Sequence, residues 1–408
     1  MGWLMNKKAM GAFFNQHAIT DYAELPVVSL SGDFTGMDKE NKKAVRFTYR
    51  YKGQSISGYS LTSWQGNSSL EYEKKSYAVT LYKDKDLRGK LKIGFGNWEK
   101  DEHYVLKANW VDFSAARNIV SGRLYGRMPN ALAANSMSGV QDGFPVNLYI
   151  NGVSKGLYTI VQPKKKTMFG LKNKDEKKGA RLYAAEEKSG SAIFENSSEA
   201  DEFWELKFPS DKADKTSLNR LTKFISTCTY NEFKDHIEEY MDLDSLLNYM
   251  VLSFITLNAD GWRKNYNIVT YDGKIWYIRP YDMDCTFGIS SVDGFDGELY
   301  LDTMSDWVNT TRLWYYVKVC FPREIYDRYL EVRYNQLNEK VVIDAFIDYM
   351  NSVGADNYKL DNSVWHRHNS QREELSRIYD FVYKRYDFLD GYMKYEYDHP
   401  CWIEAVSE

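Results

Sequence analysis

The sequence predicts an α+β protein with two lobes, a strand-rich N-lobe followed by a helical C-lobe. Up to about Gln162, short apolar runs alternate with polar residues and end at turn residues, which is typical of strands. Beyond about residue 200, apolar residues recur at the spacing of helices. With 408 residues, 43% of them hydrophobic, the chain is long enough for two or three domains or for one large two-lobed body.

The predicted N-lobe spans residues 25–165 and follows an N-terminal extension of residues 1–24. Its clearest element is a hairpin. Val146–Ile150 and Gly156–Val161 read as two strands, and the Asn151-Gly152 pair between them is the strongest short hairpin signal. These residues therefore predict an antiparallel pair.

Two further strands and one helix complete the predicted N-lobe. Ala44–Tyr51 and Tyr77–Tyr82 are rich in aromatic and β-branched residues, so both are predicted as strands. A helix is predicted after a cap at Asp112 or Ser114, with apolar residues at helical spacing up to about Met128.

The second half of the chain is predicted to be mainly helical. Residues 166–200 are rich in Lys, Glu, Gly and Ser, and they are predicted as a linker region with one short strand, Arg181–Ala184. The C-lobe is predicted at residues 201–408, where Asp244 would cap a helix over Ser245–Phe254. A strand–turn–strand is expected next, at 258–290, and further helices between about 322 and 396.

Composition disfavours several classes of function. The net charge of −4 gives no general attraction to nucleic acid or to anionic lipid, and no basic aromatic stripe occurs, so no nucleic-acid partner is expected. No segment approaches the roughly 18 apolar residues of a membrane span. The apolar patch Ala9–Phe14 is too short for the core of a signal peptide. The four cysteines are far apart and form no CxxC pair, so free structural thiols are expected ahead of one disulfide.

The most informative residues lie between Asp260 and Gly288. Asp260 and Asn265 are five residues apart, and Asp282 and Asp284 follow closely. Protein kinases use this pattern: one Asp orients the attacking hydroxyl, an Asn five residues later holds a metal, and a later Asp holds Mg²⁺. Asp260 is therefore the candidate catalytic base, the alternative being a residue that caps a turn. The His-Arg-Asp and Asp-Phe-Gly motifs that are usual in protein kinases are absent from this sequence.

The two downstream carboxylates predict a metal site. On a strand, Asp282 and Asp284 would point to one face about 6–7 Å apart. Two such charges inside a cleft require a cation, and Mg²⁺ suits them because it binds through one or two carboxylates. Asp282 is the predicted direct ligand, with Asn265 as its partner and Asp284 as a second or outer ligand. The alternative is a salt bridge to Arg279 or Arg263.

Three cations are candidates for phosphate binding. Lys74 and Lys75 follow a turn of small residues, Gly66–Ser69, whose backbone N–H groups could also face an anion. Arg117, in the first turns of the predicted helix, could donate hydrogen bonds to two phosphate oxygens at once. The alternative for each is an ordinary solvated side chain.

Four blocks of sequence resemble one family. They are Gln65–Tyr77 with Gly-Asn-Ser and Lys-Lys-Ser-Tyr, Asn109–Asn118 ending in Arg-Asn, the hairpin Val146–Tyr158, and Asn258–Gly288. Together, and in this order, they resemble the CotH kinase family, atypical protein kinases named for a bacterial spore-coat protein. The resemblance implies an atypical protein-kinase-like two-lobed fold. It also implies ATP and Mg²⁺ as cofactors, and transfer of the γ-phosphate to Ser/Thr hydroxyls of a protein substrate.

The resemblance also implies roles for two aromatic residues, and the chain differs from the family pattern at some positions. Trp276, six residues before Asp282, would stack on adenine and Tyr158 would cover the other face, although core packing is the alternative for each. Where the family has Trp-Asp this chain has Tyr281-Asp282. No Glu occurs from His103 to Asp175, so this stretch supplies no acidic partner for the phosphate-binding Lys.

Several alternatives stay open at this level. The protein substrate would be a coat, surface or other extracytoplasmic protein, and the chain itself would be made in the cytoplasm and reach a coat, a particle or an extracytoplasmic place. A non-catalytic structural or assembly protein of a spore coat or phage particle is the principal alternative. A metal-dependent hydrolase is another, against which stands the absence of His near the carboxylates. Transfer of AMP instead of phosphate is also open.

Overall fold

The computed structural model describes residues 19–131, 139–186, 194, 204–209, 215–290, 294–295, 308 and 311–399. They form two compact units, each made of separate stretches of the chain. Unit 1 takes the described parts of Met1–Ala116, Gly143–Pro163 and Ile343–Asp380, and unit 2 those of Arg117–Asp142, Lys164–Val342 and Phe381–Glu408. Strands and helices both contribute, so the predicted α+β class is confirmed. The domain boundaries proposed from the sequence stay predictions.

Unit 1 is built on a seven-stranded sheet that closes on itself in the order β1-β2-β3-β4-β5-β7-β6. Only the β1–β6 pair is parallel. The strands are β1 Val27–Ser31, β2 Lys43–Tyr51, β3 Gln54–Gln65, β4 Ser76–Tyr82, β5 His103–Lys107, β6 Gly143–Ile150 and β7 Val153–Val161. The strands predicted from residue 44, from residue 77 and around Asn151-Gly152 are therefore confirmed.

The predicted hairpin closes as its sequence requires. Ile150 pairs with Val153 across the two-residue turn. Asn151 and Gly152 both have positive φ, 50° and 78°. A tight turn between twisted strands requires φ above zero at both central residues, which Asn and Gly tolerate best.

Alternate side chains of these strands fill the interior of the closed sheet, as the period of a strand dictates. Val45 and Phe47 of β2 and Val79 and Leu81 of β4 are among the buried residues of one continuous apolar core. A helix from the C-terminal half of the chain, Ala355–Val364, packs against β7 within this unit.

Unit 2 contains a four-stranded antiparallel sheet in the order β11-β10-β8-β9. Its strands are β8 Arg181–Ala185, β9 Trp204–Phe208, β10 Tyr266–Thr270 and β11 Trp276–Pro280, and a two-stranded pair follows, β12 Ile289–Ser290 with β13 Gly294–Phe295. The strand predicted within residues 166–200 is confirmed as β8, and it occupies an inner position of the sheet.

Nine helices are found in the described parts of the chain. They are α1 Arg117–Tyr125, α2 Thr216–Thr227, α3 Tyr230–His236, α4 Leu243–Thr256, α5 Arg312–Cys320, α6 Pro322–Glu331, α7 Glu339–Val353, α8 Ala355–Val364 and α9 Gln371–Asp398. Short 3₁₀ turns lie between them, of which Ala259–Trp262 carries a candidate site residue. None of the described helices combines the length and apolar composition that a membrane crossing requires.

Two predicted helix starts were wrong. Helix α1 begins at Arg117, because Ala115 adopts φ of 55°, and ends at Tyr125 rather than near Met128. Helix α4 begins at Leu243 and is capped by Asp242, whose Oδ1 accepts a hydrogen bond of 2.7 Å from Ser245 N. A cap lies outside the first turn, and Asp244 is already inside it.

Cys228, Cys285 and Cys320 are free thiols, as the sequence predicted. Cys401 lies outside the described residues.

Candidate functional site

The β10–β11 hairpin brings two of the predicted metal ligands together. Tyr266 pairs with Pro280 at the open end of the hairpin, so the residues just outside it also meet. The backbone N–H of Tyr281 donates to the carbonyl of Asn265 at 2.9 Å. Asp282 follows directly. The sheet register therefore sets Asn265 opposite Tyr281, one residue before Asp282, at the open end of the hairpin.

Both of these residues have an uncommon backbone conformation. Asn265 has φ of 60° and Asp282 φ of 55°, in the left-handed region. Asn and Asp tolerate this region better than other residues with a β-carbon, and strained conformations cluster at binding and active sites. The positive φ values of Asn265 and Asp282, the two predicted ligands, are the most distinctive backbone feature of the site.

The expected arrangement of Asp282 and Asp284 on one face of a strand was wrong. Strand β11 ends at Pro280, and the left-handed conformation of Asp282 turns the chain out of the sheet. The residues from Asp282 to Gly288 form a loop instead, in which Phe287 also has positive φ, 51°.

The negative charges of three carboxylates act on one thiol of this loop. Burial raises the pKa of the Cys285 thiol, and the negative charges of Asp284, Asp260 and Asp282 raise it further. All three carboxylates are therefore within electrostatic reach of Cys285. Asp260 lies in the 3₁₀ turn before β10, and its Oδ2 is 3.5 Å from Lys264 Nζ. Residues up to 24 positions apart in sequence are thus gathered at one end of the β10–β11 hairpin.

The donor set fits a magnesium ion. In the described part of the chain, the three neighbouring residues Asp101, Glu102 and His103 form the one group of three or more His, Cys, Asp or Glu with ligand atoms within 4.8 Å of each other. The three carboxylates near Cys285 are more widely spaced. Mg²⁺ requires only one or two carboxylates, the rest of its shell being water and phosphate oxygen. Asp282 with Asn265, supported by Asp284, meets that requirement.

Helix α1 is bonded to the Asp282 loop through Arg117. The Arg117 side chain is fully buried, and its Nε donates to the carbonyl of Thr286 at 2.9 Å. Nη2 is 3.4 Å from the carbonyl of Phe287. The structure therefore gives Arg117 a contact to the loop backbone, while its expected phosphate contact stays a prediction.

In unit 1, Lys74 has an acidic partner far along the chain. Its Nζ donates to Oδ1 of Asp361, on α8, at 2.8 Å and to the carbonyl of Leu157 at 2.6 Å. The same Asp361 oxygen accepts from Leu157 N at 2.9 Å. Burial lowers the pKa of Lys74, and the charge of Asp361 opposes this shift. The acidic partner missing between residues 103 and 175 is thus supplied by the C-terminal half.

Lys75 and Tyr158 lie beside this pair. Lys75 Nζ donates to the carbonyls of Leu70, at 2.7 Å, and Tyr72, so it holds the turn that precedes β4. The Tyr158 ring lies 4.8 Å from Lys74 Nζ, and its hydroxyl donates to the carbonyl of Lys75 at 3.1 Å. Tyr158 is fully buried, so in this structure it orders the two lysines.

Trp276 lies at the start of β11, at the other end of the strand from Asp282. Its side chain is 1% exposed, and its ring lies 6.1 Å from that of Tyr183. Stacking on adenine requires an exposed ring face, so the adenine role stays a prediction and core packing is what the structure contains.

Three residues that contact the candidate site residues or their backbone were not predicted from the sequence. Asp361 was missed because its partner Lys74 is 287 positions away. Asn118 and Gln141 were missed because they bond to backbone N–H groups of the Asp282 loop, which no side-chain pattern reveals. The Arg-Asn pair of the second sequence block was the one signal that pointed to Asn118.

The chain is similar to known proteins of one family. A segment of 232 residues is 22% identical to Inner spore coat protein H from Bacillus subtilis and covers 55% of this chain and 58% of that protein. A second segment, of 151 residues, is 26% identical to Invasin CotH7 from Rhizopus delemar and covers 32% of this chain and 23% of that protein. The matches therefore span less than two thirds of either relative.

The match to the family as a whole is longer. The sequence model described as CotH kinase protein matches residues 51–389, which include every candidate site residue named above. The chain belongs to the CotH kinase protein family.

Proposed function

We propose that this chain is an ATP- and Mg²⁺-dependent protein kinase of the CotH type, which transfers the γ-phosphate to Ser or Thr hydroxyls of a protein. The observation that carries the proposal is the open end of the β10–β11 hairpin. There Asn265 bonds to the residue before Asp282, both ligand candidates have left-handed backbone, and the charges of Asp260 and Asp284 act on Cys285. Membership of the CotH kinase protein family supports it. In this proposal units 1 and 2 contain the N-lobe and C-lobe of an atypical kinase fold.

Phosphoryl transfer requires positioning more than covalent chemistry. Asp260 would orient the substrate hydroxyl and accept its proton. Its carboxylate belongs to the short turn that precedes β10, and its Oδ2 lies 3.5 Å from the Lys264 ammonium.

Asp282 and Asn265 would hold the metal, with Asp284 as a further ligand or as support for the bound water. A bound Mg²⁺ would neutralise negative charge on the phosphates of ATP. The left-handed backbone at both ligands fixes the direction in which their side chains leave the chain, and the hydrogen bond from Tyr281 N to Asn265 O ties the two positions together.

Lys74 would contact phosphate oxygens of ATP. An ammonium group has three N–H donors, and Leu157 O and Asp361 Oδ1 use two of them. Asp361 would hold Lys74 in place, as an acidic partner does for the phosphate-binding Lys of other kinases. Lys75 and Arg117 would be the further cations that contact phosphate oxygens, besides ordering the backbone segments to which they bond.

The partner would be a protein of a coat or another extracytoplasmic layer. One relative is named an inner spore coat protein and the other an invasin, and those names describe the relatives themselves. They support a coat or surface protein as the substrate and a coat as the place of action.

Two variants test the proposal through different steps. Asp260→Ala should lower transfer about 100-fold or more and leave Mg²⁺·ATP binding in place. Asp282→Ala should weaken Mg²⁺-dependent nucleotide binding as well. Transfer of label from γ-labelled ATP to dephosphorylated casein and to the chain itself, with calorimetry for binding, measures both. Asp356→Asn, an exposed carboxylate on α8, is the control. Full activity in both variants would refute the assigned site.

A second candidate function is a non-catalytic coat or assembly protein. The name of the Bacillus relative favours it, and so do the buried Trp276 and Arg117, whose side chains serve packing and loop support here. Mg²⁺·ATP binding without transfer to any protein would favour this candidate. Release of free phosphate with no labelled protein would instead favour a hydrolase.

A further inference from the structure

Two amide side chains hold the backbone at Asp282. Gln141 Oε1 accepts from the backbone N–H of Asp282 at 2.9 Å, and Asn118 Oδ1 accepts from that of Met283 at 3.0 Å. Both side chains are buried, with Asn118 4% and Gln141 1% exposed. Consecutive peptide groups of the candidate metal loop are therefore fixed by two buried residues from elsewhere in unit 2.

These two residues reach the loop because α1 and the segment at residue 141 approach each other closely. A β-carbon on Gly122 of α1 would lie 2.3 Å from the Gln141 carbonyl, so only glycine permits this contact. Ser121 Oγ lies 3.3 Å from Thr286 Oγ1, and Arg117 bonds to the same loop. Helix α1 thus supports the loop along its length.

The NH₂ groups of the Asn118 and Gln141 side chains have no hydrogen-bond acceptor in the described structure. Asn118 Nδ2 and Gln141 Nε2 are buried without a hydrogen-bond partner. Buried amide N–H groups normally donate a hydrogen bond. Two that have no acceptor therefore suggest that an oxygen atom of a bound ligand, or of a side chain that moves on binding, accepts from them. Each NH₂ group is fixed to the carbon whose oxygen contacts the loop, so both donors also lie beside Asp282 and Met283.

We propose that Asn118 and Gln141 are positioning residues for Asp282. Their oxygens hold the left-handed turn from which the Asp282 carboxylate reaches a divalent cation. Their NH₂ groups donate to an oxygen of the metal-bound state, either a ligand carboxylate or a phosphate. The proposal rests on the metal role given to Asp282 under the proposed function. It gives Asn118, and with it the Arg-Asn pair of the second sequence block, the role of supporting the Asp282 loop.

The test measures cation binding apart from catalysis. The variants Asn118→Ala and Gln141→Ala should each lower Mn²⁺ or Mg²⁺ affinity about 10- to 100-fold, the usual effect of removing support from a metal ligand. Gln141→Met keeps the side-chain volume and adds no charge but lacks the acceptor oxygen and the NH₂ donor, so it should lower affinity as Gln141→Ala does, whereas a role in packing alone would leave affinity unchanged. Asn231→Ala, at an exposed amide of α3 elsewhere in unit 2, is the matched control and should bind as wild type does. Calorimetry with Mn²⁺ alone and with Mn²⁺·ATP separates the two oxygen sources, because a carboxylate contact is lost in both titrations and a phosphate contact only with ATP.

The outcomes separate this inference from the kinase proposal. If the wild-type chain binds the cation, loses it with Asp282→Ala and weakens with both amide variants, the inference holds even where no phosphate is transferred. Melting temperatures identify variants that only unfold, and where Gln141→Ala does so, the volume-matched Gln141→Met is measured in its place. Unchanged cation affinity in folded amide variants, or the same affinity in wild type and Asp282→Ala, would overturn the inference.

Discussion

Replacing Asp361 by Asn should destabilise the protein strongly, because Lys74 would keep its charge in a buried place. The Lys74 side chain is 2% exposed and that of Asp361 14%, with 2.8 Å between Nζ and Oδ1. Removing one partner of a buried ion pair costs about 3–5 kcal/mol, since the remaining charge is left without compensation. Stabilities of whole domains are about 5–15 kcal/mol, so this single change should remove a large part of the folding free energy.

The matched control lies on the same helix. Asp356 pairs with Lys359 at 3.1 Å, but these side chains are 55% and 68% exposed. Exposed pairs contribute about 0–1 kcal/mol, so Asp356→Asn should change stability little. A double variant, Lys74→Met with Asp361→Asn, removes both charges of the pair and keeps an acceptor oxygen for Leu157 N, so it should recover most of the stability lost in Asp361→Asn.

Denaturant unfolding monitored by tryptophan fluorescence gives the comparison. We expect Asp361→Asn to lower the midpoint far more than Asp356→Asn, and the double variant to lie near wild type. Equal shifts for the two single variants would refute the argument that Lys74 depends on Asp361.

Three more predictions follow from single positions. Gly156 has φ of 77°, and a β-carbon there would lie 2.3 Å from Asp361 Oδ1, so Gly156→Ala should cost at least about 1–3 kcal/mol in thermal or denaturant unfolding. Burial raises the pKa of Asp242, so the folded state binds more protons than the unfolded chain and stability from this group falls as pH rises from about 4. Asp242→Asn keeps a good helix cap and should remove that pH dependence from unfolding curves. Trp276→Ala should cost about 3–5 kcal/mol of stability if the ring serves the core, whereas a large rise in KM for ATP with little loss of stability would contradict the packing role.

Local signals predicted the local structure well. The Asn151-Gly152 turn, the strands on both sides of it and the β10–β11 hairpin each depend on residues close in sequence, whose turn chemistry and period are visible directly. The approach of Asn265 and Asp282 could be predicted for the same reason, because they flank the two strands of one hairpin, and Asp260 lies in the turn just before it.

Contacts set by the tertiary fold could not be predicted. The left-handed turn at Asp282 depends on Gln141 and on Asn118, which bond to its backbone, so the sequence pattern extended the strand too far. The Lys74–Asp361 pair joins positions 287 apart, and any of the chain's many acidic residues could have filled that place. Trp276 is a separate case, because its position in the family block predicts an adenine contact and its ring is buried in this structure, so the adenine role stays a prediction.

Transfer of the γ-phosphoryl group of ATP to protein, the activity proposed for this chain, is tested by the position of a label on the nucleotide. The chain, with dephosphorylated casein present, is incubated with Mg²⁺ and ATP labelled at the γ-phosphate or, separately, at the α-phosphate, beside the Asp282→Ala variant. We predict label on protein from the γ position only, lost in the variant. Label from the α position alone would show nucleotidyl transfer, and γ-label that persists unchanged in Asp282→Ala would contradict the site.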